Sequence, residues 1–242
     1  MTPRFRMIAG PNGSGKSTLT ALLRNDYAVN FYTLLNADEI FAEVSKFHSF
    51  LAPVPVEQSD LLEYAIASEY NEPTKEHFIR GRIFVEGDII RFASHEAVNS
   101  YTIALITNFL QHSCIKENVS CSQETVFSHI SKVVALKDAR SAGYRTYLYF
   151  VANQDISINL TRISNRVKRG GHDVPMEKVI ARAKRSLANI KAALPYCTRA
   201  FFFDNSSMEM EFLAEYSEEN GMSIKSSRVP EWFSSYVLEE DT

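Results

Sequence analysis

Cysteine is scarce in this sequence, and long apolar runs are missing. Only three cysteines occur among 242 residues, Cys114, Cys121 and Cys197, and none belongs to a C-x-x-C pair. Neither a disulfide framework nor a zinc site is therefore indicated. The most apolar stretch, residues 101–110, is far too short to cross a bilayer. No low-complexity segment marks a disordered tail. The pattern is that of an ordinary globular chain.

Neither sign of charge dominates the composition. The chain has 26 Lys and Arg against 29 Asp and Glu, a net charge of −3, which argues against a surface built wholly for nucleic acid or membrane. We expect no membrane partner and rank a nucleic-acid partner low. The N-terminus leads directly into a glycine-rich loop and leaves no room for a signal peptide, so we predict a cytoplasmic location.

The glycine-rich loop at residues 10–17, GPNGSGKS, fits the phosphate-binding pattern G-x-x-x-x-G-K-[ST]. An apolar run at 5–9 precedes it, and leucines at helical spacing follow at 18–23, as the motif requires. Glycines let the backbone fold around a phosphate with its N–H groups pointing inward. Lys16 then reaches the β- and γ-phosphates, and the Ser17 hydroxyl binds Mg²⁺. The predicted nucleotide-binding residues are Gly10, Pro11, Asn12, Gly13, Ser14, Gly15, Lys16, Ser17 and Thr18.

Two carboxylates follow further predicted strands. The run at 32–35 leads to Asp38, and the alternating stretch 118–124 ends at Glu124. Ligands of parallel α/β sheets bind outside the carboxyl ends of the strands, so we predict both carboxylates at the rim that holds the loop. Two alternatives stay open: Asp38 or Asn36 caps the next helix, and Glu124 forms a surface ion pair or a cap. We predict Ser128 as the N-cap of a helix over 129–142.

Basic residues cluster between positions 162 and 185, on two predicted helices that flank Gly170-Gly171 and cover about 158–168 and 177–193. On each helix three of them recur at i, i+4 and i+7, along one face. A triphosphate is one partner that fits, and a solvated helix face is the alternative. The cluster comprises Arg162, Arg166, Lys168, Arg169, Lys178, Arg182, Lys184 and Arg185.

The remaining pattern predicts an α/β fold with three layers, a mostly parallel central sheet and helices on both faces. Residues 145–151 form the clearest core strand, and 200–203 form another, with a C-terminal anchor at Trp232 and Phe233. An edge strand is expected at 222–225. The hydrophobic pattern is weaker at 45–95, where we predict an insertion with a helix over 61–70 and a hairpin over 82–92. A helix over 96–116 follows, with Tyr101 and Phe109 in the core.

Six blocks, taken in order, resemble the bacterial zeta-toxin family of P-loop kinases. The blocks are GPNGSGKST, NADE at 36–39, SQETVFS at 122–128, GYRTYLYFV at 143–151, NRVKRGGHDVP at 165–175 with RAKRSLANI, and AFFFDNS at 200–206. Only residues 45–95 lie outside the match. The resemblance implies one P-loop kinase domain over 1–242 that uses ATP and Mg²⁺. It also implies phosphorylation of the 3′-hydroxyl of a UDP-linked amino sugar such as UDP-N-acetylglucosamine, often by a toxin held by a small antitoxin.

The resemblance also implies roles for single residues. Asp38 would be the general base, and Glu124 with Thr125 would hold the sugar nucleotide. Arg166 would stabilise the transferring phosphate, and Arg169 or His172 would be a second phosphate contact. The stretch Glu-Thr-Val at 124–126 departs from the Glu-Gly-Thr of the best-known members.

The residues alone leave other interpretations open. Asp38 is also a candidate magnesium-holding carboxylate. The alternative functions are a kinase for another metabolite or nucleotide, a nucleic-acid-related NTPase, and a non-catalytic ATP-binding switch.

Overall fold

The structure is a computed structural model that describes residues 2–168 and 174–239. Within these residues, seven strands form a mostly parallel sheet flanked by helices, which confirms the predicted α/β fold. The chain divides into two compact units, one comprising Met1–Phe31 with Glu124–Thr242 and the other comprising Tyr32–Gln123. The elements in chain order are β1 (Arg4–Ala9), α1 (Lys16–Asn25), β2 (Thr33–Asn36), α2 (Ala37–Phe47), β3 (Ser49–Leu51), α3 (Gln58–Ala67), α4 (Glu72–Ile79), β4 (Ile83–Glu86), β5 (Ile89–Phe92), α5 (Ser100–Lys116), β6 (Cys121–Thr125), α6 (Ser131–Ser141), β7 (Arg145–Ala152), α7 (Ile156–Lys168), α8 (Met176–Ala193), β8 (Arg199–Asp204), β9 (Glu211–Ser217), β10 (Gly221–Ile224) and α9 (Glu231–Phe233).

In the first unit the strands follow the order β10-β9-β8-β7-β1. β1, β7 and β8 run parallel, with Ala9 opposite Phe150 and Ala152 opposite Asp204. β9 and β10 continue the sheet as antiparallel neighbours. Because the three parallel strands end at the same edge, the residues that follow them are brought together there.

The core of the first unit is rich in aromatic side chains. Phe150, on the buried strand β7, has its ring centroid 6.1 Å from that of Phe127 and 6.0 Å from that of Trp232. Trp232 also donates a hydrogen bond from Nε1 to Asp204 Oδ2 at 2.8 Å. Trp232 and Phe233 are both buried, so the predicted C-terminal anchor is confirmed.

The second unit contains residues 45–95, which the sequence predicts to be an insertion. The predicted hairpin over 82–92 is confirmed as β4 and β5, and β3 joins it in a small antiparallel sheet of order β3-β5-β4. The helix predicted over 61–70 is α3, which begins three residues earlier and ends at Ala67. A second helix, α4, was not predicted; it follows Asn71, whose side chain accepts from the Thr74 N–H at 3.1 Å.

Two predictions about helix ends are wrong. α5 begins at Ser100 rather than Glu96, because the Asn99 side chain accepts from the Thr102 N–H and the Thr102 hydroxyl accepts from the Asn99 N–H, a capping box. α6 begins at Ser131 without a Ser128 cap: the His129 Nδ1 atom accepts from the Ser131 N–H at 3.2 Å.

One core prediction is wrong, and one strand was missed. Tyr101 is 51% exposed, because it lies on the solvent side of the first turn of α5, whereas Phe109 is buried as predicted. β9 was not predicted at all. Its acidic residues interrupt the apolar pattern, and one of them, Glu215, accepts a hydrogen bond from Arg199 Nε on β8 at 2.7 Å.

Candidate nucleotide-binding site

The phosphate loop connects β1 to α1, in the strand–loop–helix context that its sequence predicts. Gly13 and Gly15 have φ angles of +76° and +101°, which side chains disfavour. A Cβ atom on Gly13 would lie 2.6 Å from the Asn159 carbonyl oxygen, and one on Gly15 would lie 2.1 Å from Asn205 Nδ2. Glycine at these positions therefore lets the loop pack directly against two asparagines.

Lys16 is the first residue of α1, and its side chain folds back over the loop. Its Nζ atom donates to the carbonyl oxygens of Gly10 and Pro11, both at 3.1 Å. The ammonium group is thereby held beside the backbone that the motif wraps around phosphate. This position fits the predicted contact of Lys16 with the phosphates of a nucleotide.

Glu124 lies near the end of β6, and its carboxylate faces the loop. The Ser17 hydroxyl donates to Glu124 Oε1 at 3.4 Å. A hydroxyl and a carboxylate are the hard oxygen ligands that Mg²⁺ takes, usually one or two from the protein and the rest from water and phosphate. In residues 2–168 and 174–239 there is no group of three or more His, Cys, Asp or Glu side chains that could hold a metal. The Ser17 hydroxyl and the Glu124 carboxylate are two oxygen donors that would suit a Mg²⁺ whose other ligands are water and phosphate.

Asparagines from two other elements hold the outer side of the loop. Asn205, directly after β8, donates from Nδ2 to the Ser14 carbonyl at 2.8 Å, and Asn159 on α7 donates to the Asn12 carbonyl at 2.7 Å. Asn153, directly after β7, has its side-chain amide 2.9 Å from that of Asn159. These roles were missed, although the strand-end rule applied to Asp38 and Glu124 also covers Asn153 and Asn205.

The basic cluster is divided between different places. Arg162 contacts the asparagines: its Nη2 atom donates to the Asn205 carbonyl at 2.9 Å. Arg166 is exposed in the last turn of α7. Arg182 and Arg185, on α8, line a cavity of about 580 Å³ beside residues 128–130. The predicted second phosphate contacts, Arg169 and His172, lie outside the described residues.

Predicted acceptor-side residues lie at the ends of β2 and β6. Asp38 is exposed in the first turn of α2, in the second unit. The cap of that helix is Asn36, whose Oδ1 accepts from the Asp38 N–H at 2.9 Å, so the Asp38 carboxylate does not cap it. Thr125 closes β6 and accepts from the Phe127 N–H at 3.3 Å.

One lysine on α6 was not singled out from the sequence. Lys132 lies in the first turn of α6, two residues after the cavity-lining segment 128–130. Burial lowers the pKa of Lys132 to about 8, because a low-dielectric environment disfavours the charged form. No pattern in the sequence singles out Lys132, because its burial results from tertiary packing.

Comparison with known proteins shows a shared fold but low sequence identity. No protein-family model matches the chain. An uncharacterized protein of Haemophilus influenzae is 35% identical over 63 residues, which make up 26% of this chain and 45% of that protein.

Solved structures align with a much larger share of the chain than the Haemophilus protein does. The crystal structure of AvrRxo1-ORF1 and -ORF2 with ATP superposes with a TM-score of 0.56 and 11% identity, over 93% of this chain and 61% of that one. A structure of the PezAT chromosomal toxin–antitoxin system of Streptococcus pneumoniae gives a TM-score of 0.52 and 9% identity, over 100% of this chain and 80% of that one. Such likeness shows a shared α/β fold. The chain thus spans about three fifths of the AvrRxo1 chain and under half of the Haemophilus protein.

In the part of the chain that the structure describes, no helix has the length and apolar character that a bilayer crossing needs.

Proposed function

We propose that this chain is an ATP-dependent kinase that phosphorylates a hydroxyl group of a small molecule. The observation that carries the proposal is the pairing of the phosphate loop with Glu124. A nucleotide-binding loop alone serves motors, switches and kinases. Here the Ser17 hydroxyl lies 3.4 Å from a carboxylate, which supports a site for the Mg²⁺ that accompanies ATP in phosphoryl transfer.

The proposed reaction is a direct transfer. The acceptor oxygen forms a bond to the γ-phosphorus of ATP while the bond from that phosphorus to the β–γ bridging oxygen breaks, which releases ADP. Asp38 takes the hydroxyl proton. Lys16 and Arg166 neutralise charge on the phosphate oxygens, and the inward N–H groups of the loop hold the β-phosphate. Mg²⁺, when bound, would screen the charge of the β- and γ-phosphates from the side of Ser17 and Glu124.

The contact of Glu124 with Ser17 supports a metal-side role for this carboxylate, in place of the substrate-binding role that the zeta-toxin resemblance implies. The two roles predict different kinetics. If Glu124 acts at the metal, Glu124→Gln raises the Mg²⁺ concentration needed for half-maximal rate. If it binds the acceptor, the same change raises the acceptor KM instead.

For the acceptor we propose the 3′-hydroxyl of a UDP-linked amino sugar, and for the biological context a toxin restrained by a small antitoxin. The acceptor rests on the six sequence blocks that resemble zeta toxins. The antitoxin is further supported by the likeness to a structure from the PezAT toxin–antitoxin system. The location we propose is the cytoplasm, where both ATP and such a sugar nucleotide are available.

The test is a transfer assay with ATP labelled on the γ-phosphate and UDP-N-acetylglucosamine as acceptor. We expect a labelled phosphosugar from the parent protein and a loss of about 10²-fold or more for Lys16→Ala and Asp38→Asn, since each removes a group used in the transition state. Asp26→Asn, at the exposed end of α1, is the matched control and should be fully active. Transfer to water alone would refute the acceptor. ATP binding without any transfer would refute the kinase.

A further inference from the structure

The phosphate loop is held from outside by side chains that bind its carbonyl oxygens. Asn159 Nδ2 donates to the Asn12 carbonyl at 2.7 Å, and Asn205 Nδ2 donates to the Ser14 carbonyl at 2.8 Å. Asn159 and Asn205 are 2% and 8% exposed. The bond to Ser14 is buried and the bond to Asn12 is partly buried. Loss of the Asn205 donor would therefore leave the buried Ser14 carbonyl without this partner.

The direction of each carbonyl fixes the direction of the next amide. In a trans peptide unit the C=O and the following N–H are coplanar and point in opposite directions. An Asn12 carbonyl tied outward to Asn159 turns the Gly13 N–H toward the other side, and a Ser14 carbonyl tied to Asn205 does the same for the Gly15 N–H. The two asparagines thus orient the loop amides before any anion is present, which lowers the cost of reorganisation on binding.

Arg162 holds this arrangement together. Its Nη2 atom donates to the Asn205 backbone carbonyl at 2.9 Å, and its Nη1 atom lies 3.3 Å from the side-chain amide of Asn153. The planar fork of the guanidinium thereby spans the residues that follow β7 and β8. Helix periodicity places Arg162 and Arg166 on one face and predicts both as phosphate contacts. The guanidinium of Arg162 is instead hydrogen-bonded to the Asn205 carbonyl, on the outer side of the loop.

We propose that Arg162, together with Asn159 and Asn205, is a positioning residue that presets the phosphate loop for nucleotide binding. Arg162 acts through Asn205 and does not touch the γ-phosphate. This inference rests on the proposed use of the loop for nucleotide phosphate. Beyond that function, the affinity of the loop for nucleotide phosphate would depend on a polar cluster contributed by α7 and by the ends of β7 and β8.

The experiment compares Asn205→Ala and Arg162→Lys with the parent protein. Lysine keeps the charge but has one ammonium group in place of a fork, so it cannot serve both partners. The matched control is Arg140→Lys, which loses a comparable fork between Thr198 and Glu218 at the opposite, amino-terminal end of β8. Dissociation constants for ATP and ADP are measured by calorimetry, at a temperature where circular dichroism shows every variant folded.

Preorganisation predicts that both variants bind ATP and ADP more weakly by the same factor, about tenfold for Asn205→Ala, as expected for one buried hydrogen bond. Arg140→Lys should bind both as the parent does. A loss confined to ATP would overturn the inference, because it would mark Arg162 as a γ-phosphate contact. Unchanged constants for both nucleotides would also overturn it.

A second measurement needs no nucleotide. The ¹⁵N order parameters of the Gly13 and Gly15 amides should fall in Asn205→Ala from about 0.85, the value of a rigid backbone, toward 0.6. Order parameters that stay at the parent values would contradict a positioning role. If the parent protein binds neither nucleotide, the proposed function fails, and this measurement alone decides whether the cluster rigidifies the loop.

Discussion

Replacing Trp232 by phenylalanine tests how the C-terminal segment is attached to the sheet. The Trp232 Nε1 atom donates to Asp204 Oδ2 at 2.8 Å, and the Asp204 side chain is 2% exposed. A hydrogen bond to a buried charged group is worth about 1.5–3 kcal/mol. The indole exceeds the phenyl ring by roughly 40 Å³, which at about 24 cal/mol per Å³ of cavity adds about 1 kcal/mol. We therefore expect Trp232→Phe to lower the free energy of unfolding by about 2.5–4 kcal/mol.

The assay is urea unfolding followed by far-UV circular dichroism, since the variant has lost the only tryptophan of the chain. Phe233→Leu is the matched control, because Phe233 is equally buried in the same segment but makes no hydrogen bond through its side chain. It should cost about 1 kcal/mol. If Trp232→Phe costs no more than Phe233→Leu, the contact with Asp204 contributes nothing and the reasoning is refuted.

Three further predictions concern other parts of the chain. Burial lowers the pKa of Lys132 to about 8, so at this residue the unfolded chain binds more protons than the folded chain between pH 8 and 10.5. The parent should therefore gain stability relative to Lys132→Met between pH 7.5 and pH 10, measured by urea unfolding, and an equal change in both proteins would contradict this. Gly15→Ala should weaken ATP binding by about tenfold or more in calorimetry, whereas Gly143→Ala, also at positive φ but in open space, should leave it unchanged. Asn71→Ala removes the α4 cap and should cost about 1 kcal/mol of stability in urea unfolding, without changing ATP affinity; a loss of ATP affinity would link the insertion to nucleotide binding.

Strands with continuous apolar runs were predictable from the sequence. β1, β7 and β8 agree with the predicted ranges within a residue or two, because strands buried on both faces need apolar side chains at every position. β9 was not predicted because Glu211 and Glu215 interrupt its apolar pattern. Glu215 accepts a hydrogen bond from Arg199 on the neighbouring strand β8. A cross-strand pair of this kind depends on register, which a single run of residues does not reveal.

In the candidate site, too, some residues could be predicted from the sequence and others could not. The loop and Lys16 follow from one contiguous motif. The asparagines that hold the loop do not, since Asn159 and Asn205 lie 147 and 191 positions from the loop residues they bind. Their acceptors are backbone carbonyls, which carry no sequence signature. Arg162 was grouped with the phosphate contacts because periodicity identifies a helix face but not its neighbour.

The separation of Ser14 from Asn205 has a consequence for synthesis of the chain. The phosphate loop is made before the side chain that holds Ser14, which is added 191 residues later. At about 5–20 residues per second, the loop waits roughly 10–40 s for Asn205. β1 also lacks β7, its partner from Arg145 onward, for most of this time. A ribosome that stalls before β8 therefore carries a loop that lacks its hydrogen bond from Asn205.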